Sequence, residues 1–431
     1  MKHKKLFISL TAIFTVVVFF AIFLMIWFLG DNYKDFESFN QEFEIPGLKD
    51  GAVPQGMATC QANYYVEDDA EGKPNKAQQY FFISSYMMDG SPSRIYVTGA
   101  DTGYVGYVTL KTEDGKDFFG HCGGIAINNG TNVSKTSATY YTLWVTGESM
   151  VYCAKASEEY VEAGKSIAQE IVEKAEQNGT IQITSSFKAN CNASFCFYYD
   201  DPYYTSVTYD KLYIGEFYRA ENYETDKKHW MTTPKGYQNT AFMYEYTVSS
   251  SAKYGLAILT STNGLAEEDR VPRIQKIISL PEKIQGGAFS GRTRGSNNDG
   301  TLILSESYGL NNSHLLCFDY KTLIGTSRKY TEMTGESFVY DGVKKTFGNQ
   351  QIDYTDNSLY VYFADKNDAA MLVNDYSIPS MTEGLCVPTP PTAGNGSYKR
   401  VYVLFESAGK KYKNFVREQI KDVYSFIPRS R

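Results

Sequence analysis

The chain has 431 residues and a formal net charge of −7 at neutral pH, with 15% aromatic residues and 36 tyrosines. An acidic chain lacks the basic footprint of a nucleic-acid or anionic-surface partner, so both classes are excluded. The aromatic excess fits β-sheet, where such side chains are enriched, and platforms for a sugar or another flat ligand are its second use.

Lys2, Lys4 and Lys5 precede an uncharged run at 6–30, LFISLTAIFTVVVFFAIFLMIWFLG, which is followed by Asp31, Asp35 and Glu37. As a helix this run would extend about 37 Å, enough to cross a hydrocarbon core. The positive-inside rule then keeps residues 1–5 in the cytoplasm. The expected arrangement is a transmembrane anchor at 6–30, a linker at 31–41 and an extracellular domain at 42–431, in a single-pass plasma-membrane protein. A cleaved signal peptide is the competing reading, but the run exceeds an ordinary h-region and ends without a small-x-small site.

Beyond the linker the chain repeats one pattern. Strands rich in small residues occur at PQGMATC (54–60), CGGIAI (122–127), ASFCFYY (193–199), QGGAFS (285–290) and EGLCVP (383–388). Each is followed by a more apolar strand: YFFISSY (80–86), LWVTGES (143–149), LYIGEFY (212–218), LILSESY (302–308) and VYVLFES (401–407). Third strands read RIYVTG, MVYCAK, FMYEYTV, LLCFDY and DVYSFI. Units of this length, aligned on Gly56, Gly124, Ser194, Gly286 and Gly384, indicate a β-propeller whose small-residue strands converge on a crowded axis.

The segments QKIISLP (275–281) and DYSIP (375–379) end in Pro just before a first strand, and EFEIP (42–46) has the same form. They are read as outer strands, so that the N-terminal one joins the C-terminal strands and closes the ring. The fold class is thus all-β, a five-bladed propeller, with six blades if GNQQIDYTDNSLYVYFAD (348–365) stands alone instead of elaborating blade four. One segment is foreign to the pattern. Residues 157–177 carry Tyr160, Ala163, Ile167, Ile171 and Ala175 at helical spacing, which predicts a helix inserted between blades two and three and packed on the propeller side.

Seven cysteines show no CxxC spacing, and the histidines are scattered. Cys191 and Cys196 are close enough to bridge, yet the cysteines fall in apolar strands and read chiefly as small buried hydrophobes. Six Asn-x-Ser/Thr sequons, beginning with Asn129 and Asn132, permit glycosylation. Asp200 and Asp201 read as turn residues before Pro202.

The second strands end alike at Glu148, Glu216, Glu306 and Glu406, with Ser85 in blade one. If these positions ring the axis, four carboxylates face a common region that demands a cation, a proton or donors. Oxygen ligands then make Ca²⁺ the expected cation, if one is bound. The competing reading has each Glu accepting backbone N–H bonds inside its own blade. Gln55, Gln285 and Glu383 match one another on the first strands and are the expected ligand-binding groups, while His121 opens the strand of blade two.

Blade four, IQGGAF followed by LSESYGLNNSHL, resembles the plant-type glutaminyl cyclotransferases, five-bladed propellers whose repeats read Thr-Gln-Gly-Leu and then Leu-Tyr-Glu-Ser-Thr-Gly. Gln285, Gly286, Glu306 and Ser307 are shared, with Gly309, Ser313 and Leu315 behind; Tyr308 and Asn312 depart. The resemblance implies proton transfer at Glu306, with His121 as its candidate catalytic partner. The chain is also broadly similar to lactonase-like propellers. With no P-loop, HExxH or nucleophile elbow, the expected function is binding of a carbohydrate or peptide at the propeller mouth. The alternative is an extracellular hydrolase or cyclotransferase-like enzyme using a central carboxylate.

Overall fold

A computed structural model describes residues 16–20, 33, 35–64, 76–128, 141–199, 210–249, 251–291, 300–309, 311–388, 399–414, 416 and 418–429. Most of the apolar run 6–30 lies outside them, as do Asp200, Asp201, Asn129 and Asn132; residues 16–20 are helical. Among the described residues no helix is long and apolar enough to cross a membrane.

The repeated pattern becomes five antiparallel blades. Blade one runs Ala52–Tyr64, Lys76–Met87, Arg94–Gly99 and Gly103–Lys111 from the axis outward. Blade two has Gly124–Ile127, Thr142–Gly147, Met150–Lys155 and Ser185–Lys188, and blade three Ala193–Tyr199, Lys211–Glu216, Ala241–Thr247 and Ile274–Leu280. Blade four follows with Ile284–Ser290, Thr301–Glu306, Ser313–Asp319 and Leu372–Ile378. Blade five has Thr382–Cys386, Val401–Phe405 and Asp422–Phe426, and its outer strand is Asn40–Glu44, from the other end of the chain. All three Pro-ended segments are therefore outer strands, and the ring closes as expected.

Each blade is buried on both faces, which is why its strands read as continuous apolar runs. In blade four Leu302, Leu304, Leu316 and Phe318 pack toward blade three with Phe197, Tyr213 and Ile278. Their neighbours Ile303, Leu315 and Cys317 pack toward blade five with Val401, Val403 and Phe405. The period-two alternation of a strand thus divides one apolar run between two cores. At the axis a side chain has no room: a Cβ on Gly56 would lie 2.8 Å from the Gly124 Cα, and one on Gly384 would lie 2.5 Å from the Met57 nitrogen.

Two expectations change, the helix and the placing of residues 348–365, while the reading of the cysteines as buried hydrophobes holds. The predicted helix is two, Glu158–Glu162 and Ile167–Ala175, because Gly164 adopts φ 71° between them and Ser166 caps the second through the Gln169 N–H. It belongs to blade two, between the third and fourth strands, and its apolar face packs into the core shared by blades one and two. Thr180–Gln182, just after it, pairs in parallel with the outer strand of blade one. Residues 348–365 form no sixth blade: Gln350–Asp356 pairs with Phe338–Phe347, and Tyr360–Phe363 adds in parallel to the outer strand of blade three. The excursion leaves from blade four in sequence but covers the edge of blade three. All seven cysteines are free and buried, so Cys191 and Cys196 are core side chains and not a bridge.

Closure depends on few contacts from the N-terminal strand. Phe39 is 8% exposed and stacks on Phe426 with ring centroids 4.5 Å apart, in a core that includes Phe405 and Tyr376. Phe39→Ala is expected to lower unfolding stability by about 3–5 kcal/mol in urea denaturation. Phe347→Ala, at a ring 76% exposed, is expected to change it by less than about 0.5 kcal/mol.

Candidate functional site

Four of the five first strands enter the channel through the same irregularity. The register slips between Pro54 and Met57, Ala193 and Phe195, Ile284 and Gly286, and Thr382 and Leu385. A bulge at this place re-aims the extra residue. The residues so placed include Gln55, Ser194, Gln285 and Glu383, and all four line one cavity of about 580 Å³, with Gly123 in the blade-two position. The expected set Gln55, Gln285 and Glu383 is therefore brought together. Ser194 was missed because the small residues were aligned by identity. Phe195, paired with Gly215, sits where Gly286 pairs with Ser305, and its ring occupies the space that a Cβ on Gly215 would fill.

The four strand-end glutamates do not converge. Glu148 and Glu406 line the cavity. Glu216, 2% exposed, accepts from the Phe242 N–H at 2.9 Å and the Asn192 N–H at 3.3 Å and contacts the His229 Nδ1 at 2.8 Å, so it is a fixture of its own blade. Glu306 pairs with the Lys366 ammonium at 2.5 Å and is not among the cavity residues. Backbone bonds explain the split. The Glu406 N–H donates to the Met381 carbonyl, and the Ser307 N–H donates to the Lys283 carbonyl; Met381 and Lys283 each precede a first strand with φ near 60°. Glu406 thus corresponds to Ser307 and not to Glu306, and a shift of one residue along a strand turns the side chain to the other face. Among the described residues no group of three or more His, Cys, Asp and Glu side chains is placed to hold a metal ion, so the four glutamates are not a Ca²⁺ ligand set. Nor do the expected catalytic partners meet: His121 lines the cavity and Glu306 does not.

The cavity instead has a polar floor centred on Glu383 and Glu406, each 4% exposed. Gln55 Nε2 donates to Glu406 Oε1 at 2.8 Å, and the Lys411 ammonium stands 3.8 Å from the same oxygen. Lys411 also donates to the Tyr86 hydroxyl at 2.5 Å and lies 4.7 Å from the Tyr412 ring centroid. Burial, then the Glu406 charge and a hydrogen bond to it, push the Glu383 carboxyl well above the usual carboxylate range, against the opposing pull of Lys411 and Gln285. Two acids side by side in one buried place oppose each other's ionisation. Burial likewise pushes up the Tyr412 phenol, whose hydroxyl bonds Glu406.

His121 is open to the cavity and stacks on Tyr86 with centroids 4.9 Å apart. Enclosure by the surrounding blades lowers its imidazole pKa, with Glu406 opposing and Lys411 adding to the effect. The opposite wall is aromatic. Phe217 contacts Tyr223 and Tyr308 at 5.3 and 5.8 Å between centroids, and the Arg219 guanidinium lies 4.0 Å over the Tyr308 ring. Glu148 and Ser149 turn the blade-two hairpin with φ 54° and 68°. Left-handed backbone at two non-glycine residues costs about 1–2 kcal/mol each, and here it presents Glu148 to the cavity. The far end of the channel is pinched: a void of about 50 Å³ there is lined by Met57, Ile125, Phe197 and Leu385 among others.

Because the folded chain holds the Glu383 proton more tightly than the unfolded chain does, stability is lost as pH rises from the ordinary value of 4.5 toward the raised one. Glu383→Gln, which keeps the shape and removes the titration, is expected to flatten this slope. Melting temperatures measured from about pH 5 to about pH 9 should fall for the natural chain and stay closer to level for the variant. Parallel profiles would show that Glu383 is not the group held neutral.

Comparison with known proteins adds little to this geometry. No family model matches the chain, and no curated protein does, so the glutaminyl cyclotransferase and lactonase-like resemblances gain no support from them. A solved structure described as the structure of Dos1 propeller is similar over 86% of this chain and 74% of that one, at 8% identity and a TM-score of 0.27. At that score the likeness carries no argument. The five-bladed β-propeller assignment rests on the strand pairing itself.

Proposed function

We propose that the wide mouth of the channel binds a small carbohydrate-class ligand. The observation that carries this reading is the convergence of Gln55, Ser194, Gln285 and Glu383 beneath an aromatic wall of Phe217, Tyr223 and Tyr308. Sugars offer an apolar ring face and a rim of hydroxyls, which suits aromatic walls above amide, hydroxyl and carboxyl groups. The volume of about 580 Å³ fits a mono- to trisaccharide-sized molecule. A peptide is the weaker occupant, since no strand edge at the mouth is shown to offer main-chain pairing.

A second reading is favoured by one specific feature. The Glu383 carboxyl is pushed well above the usual carboxylate range inside a solvent-connected cavity, a shift in the direction a general acid needs. An enzyme built on this channel would draw its proton from Glu383 and not from Glu306. The apolar run at 6–30 further supports a chain tethered to the plasma membrane with the propeller outside.

Glycan-array screening of the full-length chain in detergent tests the binding reading. Tyr308→Ala and Phe217→Ala are expected to weaken a bound glycan by about tenfold or more each, since stacking contacts of this kind are worth about 0.5–1.5 kcal/mol beyond their area. Equal affinity in both variants would refute a ligand stacked on that wall. Chromogenic glycosides and esters form the enzyme arm, in which turnover lost in Glu383→Gln but kept in Glu306→Gln would establish the second reading. Protease shaving of intact cells is expected to release a propeller fragment; a protein recovered wholly from the cytosol would overturn the tethered topology.

A further inference from the structure

Among the described residues the cavity floor holds more acid than its cations neutralise. Glu148, Glu383 and Glu406 all face it, and Lys411 is the cation among the residues that line it. Lys411 is already committed to Tyr86 and Glu406, and Arg219 near the rim is stacked on Tyr308. His121, with its pKa lowered by enclosure, brings no charge at neutral pH. Blade three and the turn before it contribute Asn192, Ser194 and Tyr223 as polar or titratable groups here, and blade four Gln285 and Tyr308, none of them a cation. Burial and the Glu406 charge push the Glu383 carboxyl well above the usual carboxylate range, so a cation that entered beside it would relieve the crowding of these two buried acids.

We propose that the ligand of this cavity carries a protonated amine, which binds between the Glu383 and Glu406 carboxyl groups that line its floor. This rests on the reading of the cavity as a small-ligand site and narrows its ligand to an aminated one. The O–H bond of Glu383 breaks and its proton leaves to solvent; the ammonium keeps its three protons, and no covalent bond to the ligand forms. Two carboxylates then accept from one ammonium, a charge-assisted arrangement stronger than a neutral hydrogen bond. Glu148 adds a third negative charge from the turn above, and the faces of Tyr308 and Phe217 favour a cation further. An anionic ligand would meet three carboxyl groups instead. A bare metal ion lacks a ligand set among the described residues, whereas an ammonium needs only acceptors. An amino sugar and a small amino-acid amide share this chemistry.

Isothermal titration of the full-length chain with glucosamine, glucose and glycinamide, in two buffers of different ionisation enthalpy, tests the proposal. Glucosamine is expected to bind at least about tenfold more tightly than glucose and to release about one proton, with affinity rising as pH rises above the ordinary carboxylate range. Glu383→Gln should retain the fold, since Gln occupies the matching place in blades one and four. It is expected to lose the proton release and at least about tenfold in glucosamine affinity. Circular dichroism of the variant separates a lost site from a lost fold, and Glu406→Gln serves if Glu383→Gln does not fold. Equal binding of glucosamine and glucose, or amine binding without proton release, overturns the ammonium assignment and leaves the carbohydrate reading standing. Glycinamide bound with proton release while both sugars fail would do the reverse. Failure of all three overturns the proposal.

Discussion

Everything in this molecule follows from five strands forced together around one axis. Neighbouring first strands approach so closely that a Cβ on Gly56 or Gly384 would strike the backbone of the next blade. Such contact cannot be made by a straight strand that also carries large side chains toward the channel. The chain resolves the conflict by slipping register at the top of four first strands, where one extra residue leaves the ladder and faces the channel. Crowding below therefore creates the ring of polar groups above. The polar surface of the channel mouth is a by-product of how the blades are made to touch.

This constraint was written plainly in the sequence, and so were the five units, the outer strands and the closure by Asn40–Glu44. Small residues at the axis, continuous apolar runs beside them and Pro at the outer-strand ends are local signals with a physical cause at each place. The channel residues were legible where the bulge carried a long polar side chain, as in Gln55, Gln285 and Glu383, and not where it carried Ser194. The strand-end glutamates misled because Glu-Ser repeats in blades four and five one residue out of step. Letters that match need not share a face: Phe405 pairs with Thr382 where Glu306 pairs with Ile284, so the recurring Glu belongs to two different positions. Tertiary hydrogen bonds, which no single sequence displays, set the register.

The additions to the ring were harder to place because they obey edges and not repeats. Outer strands expose unpaired backbone groups, an invitation to association. Thr180–Gln182 covers the edge of blade one and Tyr360–Phe363 that of blade three, each in parallel and each from a neighbouring blade's loop. Helical periodicity at 157–177 foretold an amphipathic element, but the core it would fill depends on which gap between blades is open. Ile167, Ala168, Ile171 and Val172 enter the gap between blades one and two. A loop long enough to reach two gaps carries no local mark of which one it fills.

Polar groups at the mouth differ in kind from those within the blades, and the difference is one of satisfaction. Glu216 spends its oxygens on Phe242, Asn192 and His229, and the Glu245 carboxylate lies within 2.8 Å of the Tyr213 hydroxyl and 3.1 Å of the Lys276 ammonium. Such groups hold strands in register through partners within their own blade and its neighbour's edge. At the floor the same residue type is less evenly matched: Glu383 and Glu406 lie together with Lys411 as the cation beside them among the described residues, and burial and the Glu406 charge push the Glu383 carboxyl well above the usual range. Buried polar groups left in this condition cost the fold free energy, so a fold built only for stability would replace them with the Gly or Ser that blades two and three place there. Their asymmetry within an otherwise repeating ring is what separates a site from scaffolding. Glu383 stands where blades one and four carry an amide, and Glu406 stands where blade three carries Phe217. Blade five therefore departs from the repeat at two adjoining positions, and it is there that the channel becomes chemically distinct.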